Sequence, residues 1–435
     1  MKEKIARCVV CVLMVVWCGV DVWGQVMTLE QMFEMAEEHN PGMVVSASAV
    51  EEAAAGVGVA RGAMGPDIDV GVTLSVIGNA WIADRDFGGG MNVETPHFGN
   101  TYSIAITQML YAGGAIRRGV EMAGLEKEMA ELAHVATRQG VRLMIAGYYL
   151  DLCKLANQRT ILLKNIDQTQ RLVEDIEANY RAGTALKSDI TRYELQLQSL
   201  RLNLTQVENA ANIATRYLNT ALGLPADAAT EPDTAVGSRG CEEMAEEWWI
   251  ELGRRSPEVM MASKGVEMAE TGVAVSRAGY RPTVALRVED KLEGPITYEV
   301  PVLDKNVNVW YAGVNVSYNL GSLYKTRRKV VEGERAARVA SARLARQVSQ
   351  SEADTHAAYV RLEEAKRDHA THLKSVQLAH ENYEVVHYRY LNGMALITDM
   401  LDASNQQLNQ ELELVNSDIN IVYRNIALKA VTGTL

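Results

Sequence analysis

Residues 180–190 read YRAGTALKSDI, and residues 390–400 read YLNGMALITDM. Tyr180 aligns with Tyr390, Gly183 with Gly393, Ala185 with Ala395, Leu186 with Leu396 and Asp189 with Asp399, each pair 210 residues apart. In both copies a single glycine-centred break separates two long helical patterns. Glycine supplies the left-handed backbone that closes a helix. Each copy therefore reads as the tip of a helical hairpin, spanning 180–185 and 390–395.

Upstream of the first tip, Gly114 to about Asn179 contains no proline and is rich in Ala, Leu, Glu, Arg and Met. A helix of that extent is on the order of 100 Å long at 1.5 Å per residue. Downstream, Leu186, Ile190, Tyr193, Leu197, Leu200, Leu204, Val207, Ala211, Ala214, Leu218 and Ala221 recur at alternating steps of four and three. That is a coiled-coil seam. Leu195 and Leu202 lie off it and point to packing on a second side. Gly223-Leu224-Pro225 stops the helix, and 226–240 reads as a linker. The second tip has the same surroundings: a proline-free stretch at 322–389 before it, and Leu401, Leu408, Leu412, Val415, Ile419, Val422 and Ile426 after it. Gly433 stands 210 residues beyond Gly223.

Each long helix is preceded by strands. Ile68, Val70, Val72, Leu74 and Val76 alternate with Asp69, Gly71, Thr73 and Ser75, which gives one oily and one wet face. Strands are expected at about 68–77 and 100–111, with a Gly-rich loop at 78–99 between them. In the second half they are expected at about 283–290 and 307–319. Strands of roughly ten residues suit a tilted crossing of a bilayer. A helical pattern opens each half. In the first, Thr28 and Gln31 form a capping-box signature and Asn40-Pro41 interrupts the pattern; Ser256-Pro257 stands 216 residues further on. The chain is thus a tandem duplication: a first repeat at 25–225 and a second at 241–435.

Bulk composition agrees. In 435 residues, 48% are hydrophobic and 23% charged, with only three Phe and nine Pro, a balance suited to long helices. A net charge of −12 argues against nucleic acid as a partner. Residues 1–24 read as a signal peptide: Lys2, Lys4 and Arg7, then an apolar run from Cys8 to Trp17, with cleavage after Gly24 or, alternatively, lipidation at Cys18. The mature chain keeps Cys153 and Cys241, without metal-type spacing. Four strands cannot close a transmembrane barrel, for which about eight is the minimum. Open edges are not tolerated in lipid, so other copies of the chain must complete the sheet.

These features resemble the TolC-like outer-membrane efflux proteins. The likeness covers essentially the whole mature sequence. It is most specific at Tyr390-x-x-Gly393-x-x-x-x-x-Asp399-x-Leu401-Asp402-Ala403 and at Gly433-Thr434-Leu435. Leu222-Gly223-Leu224-Pro225, Tyr111-Ala-Gly-Gly and Tyr318-Asn-Leu-Gly are similar to the family as well. The resemblance implies a mainly α fold with membrane β-structure. In it a homotrimer shares a twelve-stranded barrel in the outer membrane, continuous with a helical barrel in the periplasm. It implies docking to a periplasmic adaptor and an inner-membrane pump through Gly183, Thr184, Gly393 and Met394. It also implies a periplasmic gate. Asp399 and Asp402 match positions that line the constriction, and Tyr390 and Asp189 match positions that bond between neighbouring helices. Ala395 stands where some members carry an arginine near the gate. Like charges confined in such a ring favour cations.

Other signatures fail. His380-Glu381-Asn382-Tyr383-Glu384 lacks the second histidine of a zinc-protease helix. Ser322-Leu-Tyr-Lys325 has no companion motif, and Ser322 reads as a helix N-cap. His369, His380 and His387 share a stripe that reads as solvated or interfacial. Arg117, Arg118, Lys325, Arg327, Arg328 and Lys329 follow the strands closely. The expectation is a passive outer-membrane duct with no enzymatic site and no cofactor. The competing reading is an exported trimeric coiled-coil structural or adhesion protein, which has no need of two-faced strands.

Overall fold

The computed structural model describes residues 26–228, 230–233, 244–299 and 302–435. The expected leader, Cys18, Cys241 and linker positions 229 and 234–240 lie outside the described residues. The elements follow in the order β1 (Val26–Met27), α1 (Leu29–His39), α2 (Pro41–Gly62), β2 (Asp67–Val76), β3 (Ala80–Ile82), β4 (Met91–Val93), β5 (Phe98–Ala112), α3 (Ala115–Arg181) and α4 (Lys187–Leu222). Then come β6 (Glu231–Pro232), α5 (Glu246–Gly253), α6 (Pro257–Ala278), β7 (Thr283–Gly294), β8 (Val307–Ser317), α7 (Ser322–Leu391) and α8 (Ile397–Val431). Four short strands, β1, β3, β4 and β6, go beyond the sequence expectation. A short β3–β4 hairpin sits within the 78–99 loop, and the linker supplies β6, which pairs in parallel with β1.

The chain divides into two compact units. One gathers the chain up to Ala47, Ala133–Val259 and Gln347–Leu435; the other gathers Ser48–Leu132 and Met260–Arg346.

The first unit is helical. Its largest core joins Met32 and Ala36 of α1, Ile145, Tyr149 and Leu150 of α3, Leu218 and Leu222 of α4, and Ile419 and Ile426 of α8. The capping box at α1 forms as expected: Thr28 Oγ1 accepts from Gln31 N at 3.3 Å, and Thr28 N donates to Gln31 Oε1 at 2.9 Å. The prolines at 41 and 257 each start a helix of 22 residues, because a missing N–H costs nothing in a first turn. Asn40, just before the first of them, is buried and donates Nδ2 to the Ala221 carbonyl at 2.7 Å. The start of the first repeat is thereby tied to its own last helix. The seam of α4 is buried at Tyr193, Leu197, Leu200, Leu218 and Ala221. Leu186 departs from the expected seam: it precedes the helix and is 68% exposed. Leu195 and Leu202 are also exposed, so no second side is packed within the protomer.

The second unit carries a four-stranded antiparallel sheet in the order β2-β5-β7-β8. Its register separates two faces. On one, Val70 lies beside Ile104 and Ile68 beside Ile106, Ile106 beside Val288, and Leu286 beside Val314. On the other, Asp67 lies beside Thr107 and Thr107 beside Arg287, while Asp69, Ala105, Glu289 and Tyr311 form the next rung. On this polar face Tyr311 Oη donates to Glu289 at 2.7 Å, and Arg287 Nη2 pairs with the same carboxylate at 2.7 Å. β2 is exposed along its whole length, and β8 along nearly all of it. Among the described residues, both edge strands therefore lack a second partner. One boundary expectation is corrected at the entry to α7. Ser322 is the first helical residue, not the cap, and its hydroxyl is buried without a partner among the described residues. In the turn just before the helix, Asn319 Oδ1 accepts from Gly321 N at 2.9 Å.

Candidate functional site

Both tips are built by one backbone device. Gly183 has φ 76° and Gly393 has φ 69°. Thr184 N donates to Asn179 O at 2.9 Å and Gly183 N to Tyr180 O at 3.0 Å; Met394 N donates to Arg389 O at 2.8 Å and Gly393 N to Tyr390 O at 3.0 Å. This is the Schellman closure, which satisfies the carbonyls a helix end leaves open. Three residues later the chain turns back into a helix. Leu186 N donates to Asp189 Oδ2 at 3.2 Å, and Leu396 N to Asp399 Oδ2 at 3.1 Å. The two aligned aspartates thus cap their own helices from the third position, where the helix dipole also favours a negative charge.

Under the tips lies a small core of Ile176, Tyr193 and Ile397, with Leu172, Val173, Ala185, Ile190, Tyr390 and Leu401 packed against it. Tyr390 contributes its ring to this core. Burial raises its phenol pKa, with a further contribution from the Asp189 carboxylate. Among the described residues the Tyr390 hydroxyl has no hydrogen bond to Asp189, whose carboxylate is engaged by Leu186 N. The structure thus brings the two residues near one another without a direct link. Asp402 lies on α8 and accepts from Gln406 Nε2 at 3.0 Å. Between the hairpins, Gln196 of α4 donates to Asn405 of α8 at 2.6 Å.

Sequence reasoning missed two features here. Tyr193 falls on the seam by period, yet among the described residues its hydroxyl is buried without a partner, and burial raises its pKa, helped by the nearby Tyr390 and Tyr383 phenols. An apolar residue at the right period gives no sign of an orphaned hydroxyl. The second is apolar exposure. Leu391, Met394 and Leu396, with Leu186 of the other tip, stand well clear of the core, Leu396 at 70%. The repeat of Leu186 at Leu396 was the available signal. The histidine stripe disperses into local pairs: His369 Nδ1 lies 3.3 Å from Asp418, His380 Nε2 lies 3.4 Å from Glu384, and His387 stacks on Tyr383.

Known proteins agree with this architecture. The crystal structure of the outer membrane protein VceC from Vibrio cholerae matches at a TM-score of 0.78 and 18% identity, covering 93% of this chain and 96% of VceC. The CmeC outer membrane channel of Campylobacter jejuni matches at 0.77 and 15% identity, over 93% of this chain and 85% of CmeC. The open state of the MtrE outer membrane channel of Neisseria gonorrhoeae matches at 0.71 and 13% identity, over 93% and 88%. By sequence, the pyoverdine export outer membrane protein OpmQ of Pseudomonas aeruginosa is 26% identical over 142 residues, which is 33% of this chain and spans 30% of OpmQ. The model of the outer membrane efflux protein family matches residues 32–224 and again 251–434, one match for each repeat, and the chain belongs to that family.

Proposed function

We propose that the chain is the exit duct of a tripartite efflux or type I secretion assembly, a passive channel in the outer membrane through which an inner-membrane pump and a periplasmic adaptor drive cargo. The observation that carries this is the two-faced sheet, both of whose edges are unpaired among the described residues. An apolar face suits lipid and a charged face suits a water-filled lumen. Hydrocarbon leaves no backbone N–H or C=O unpaired, so β2 of one copy is completed by β8 of the next. Three copies close a twelve-stranded barrel. The exposed apolar side chains around Gly183, Thr184, Gly393 and Met394 are the adaptor's docking surface. Exposed apolar clusters of this kind mark protein contacts. Asp399, Asp402, Tyr390 and Asp189 line the gate, with the two α8 carboxylates of three copies forming its ring. Asp189 and Asp399 serve by shaping the helix starts as well as by their charge.

The experiment is reconstitution of the purified protein in planar bilayers, beside electrophoresis in SDS with and without heating. The expected result is a heat-dissociable trimer with discrete conductance steps. A protein extracted from cells by high salt without detergent, and giving no conductance, would instead favour the adhesion or stalk reading.

A further inference from the structure

At the passage from sheet to helices, the second unit holds a groove of about 750 Å³ lined by Gly113, Gly114, Arg117, Arg118, Arg277 and Arg281. Four arginines line it, and their charge is only partly matched. Arg118 pairs with Glu121 at 2.6 Å and Arg277 with Glu334 at 2.9 Å. Arg281 gives one Nη1 hydrogen to the Gly113 carbonyl at 3.2 Å. Arg117 has no carboxylate partner among the described residues. The backbone adds to the positive character. Arg118 N, which donates to Gly114 O at 3.0 Å, makes the first helical bond of α3. The amides of the preceding turn have no helical acceptor and lie at the positive end of the helix. The groove is a built feature, because β5 and the end of α6 approach too closely there for a side chain. A Cβ on Gly113 would lie 2.5 Å from the Ala278 carbonyl oxygen.

Its position along the strands selects the ligand. Tyr111, next to last in β5, lies opposite Val284, and Tyr318 directly follows β8. Tyrosines at the ends of membrane strands mark the headgroup level. The arginines come within a few residues of that level on the helical side. Guanidinium binds phosphate through paired N–H donors, and basic groups at a bilayer surface attract anionic lipid. We infer that this groove holds the phosphodiester headgroup of an anionic phospholipid in the inner leaflet of the outer membrane. The inference rests on the membrane placement of the sheet proposed above.

The test uses the assembled, detergent-purified protein in native mass spectrometry, titrated with phosphatidylglycerol, with phosphatidylcholine, and with phosphatidylglycerol in the presence of inorganic phosphate. The wild type is expected to retain phosphatidylglycerol over phosphatidylcholine and to keep it against millimolar phosphate. The double variant R117Q/R281Q is expected to lose that preference by about 30-fold, each arginine near the surface contributing comparably. A second variant, R117K/R281K, keeps the charge without the paired donors and is expected to fall in between. Equal retention of both lipids, an undiminished preference in R117Q/R281Q, or ready displacement by inorganic phosphate would each overturn the inference. Failure of the wild type to insert into bilayers at all would strike the membrane reading instead, so the two failures are distinguishable.

Discussion

Gly183, Gly223, Gly393 and Gly433 occupy the same left-handed conformation, with φ of 76°, 72°, 69° and 75°. Their company differs. A Cβ at Gly183 or Gly393 meets nothing within 4 Å, whereas at Gly223 it would lie 2.7 Å from the His39 carbonyl oxygen. Gly183→Ala and Gly393→Ala are therefore expected to cost only the conformational penalty of about 1–2 kcal/mol. Gly223→Ala adds a backbone clash and is expected to cost clearly more. Thermal or denaturant unfolding of the three variants checks the ranking, and equal losses would contradict it. Cys153 makes a second case. It is buried in the first unit, and burial, with the nearby Asp233 charge, pushes its thiol up to about 12. The sign follows from linkage: the folded state holds the proton while an unfolded thiol loses it near pH 8.5. Stability contributed by Cys153 is complete below that pH and falls by about 1.4 kcal/mol per pH unit above it. Denaturation between pH 8 and pH 11 should give a shallower loss in Cys153→Ala than in the wild type. Identical slopes would count against the assignment.

At the scale of the element, the two carboxylates on α8 separate into different jobs. Asp399 accepts from Leu396 N and closes the first turn, while among the described residues Asp402 bonds only to Gln406 one turn further on. Asp399→Ala is expected to destabilise by about 1 kcal/mol, as the loss of a helix-start acceptor does. Asp402→Asn is expected to leave stability within about 0.5 kcal/mol, as surface substitutions do. Both changes should lower cation preference in bilayer recordings, since each removes three charges from the proposed ring. The informative outcome is the split. An Asp402→Asn channel with unchanged ion selectivity would remove Asp402 from the gate.

For the whole molecule, the sheet's two faces make opposite demands. Val72 lies beside Tyr102 on the apolar face, and Thr73 lies beside Thr101 on the polar face. Val72→Lys is expected to cost roughly 2–4 kcal/mol in a lipid-facing strand, and Thr73→Lys close to nothing in an aqueous lumen. The yield of heat-dissociable trimer measures the difference. Equal yields would mean that the apolar face does not meet lipid.

Much of this architecture was legible in order along the chain. The two tip glycines, the prolines that restart helices, the Thr28–Gln31 box and the alternation from Ile68 to Val76 each act through near neighbours, so sequence spacing alone identifies them. The 210-residue repeat then carried the reading of one half onto the other. What the sequence could not decide depends on distant residues. Asn40 meets the Ala221 carbonyl across 181 positions, and β1 finds β6 within the linker. Arg277 and Arg281 join Arg117 and Arg118 only because β5 and β7 pair. Leu186 and Leu396 fit an apolar period yet stand in solvent, because the Schellman turn before each ends the packed surface. Local backbone preference is written in consecutive residues. Which side chains share a groove, and which acceptors a carboxylate still has free, is set by tertiary contacts that no local pattern records.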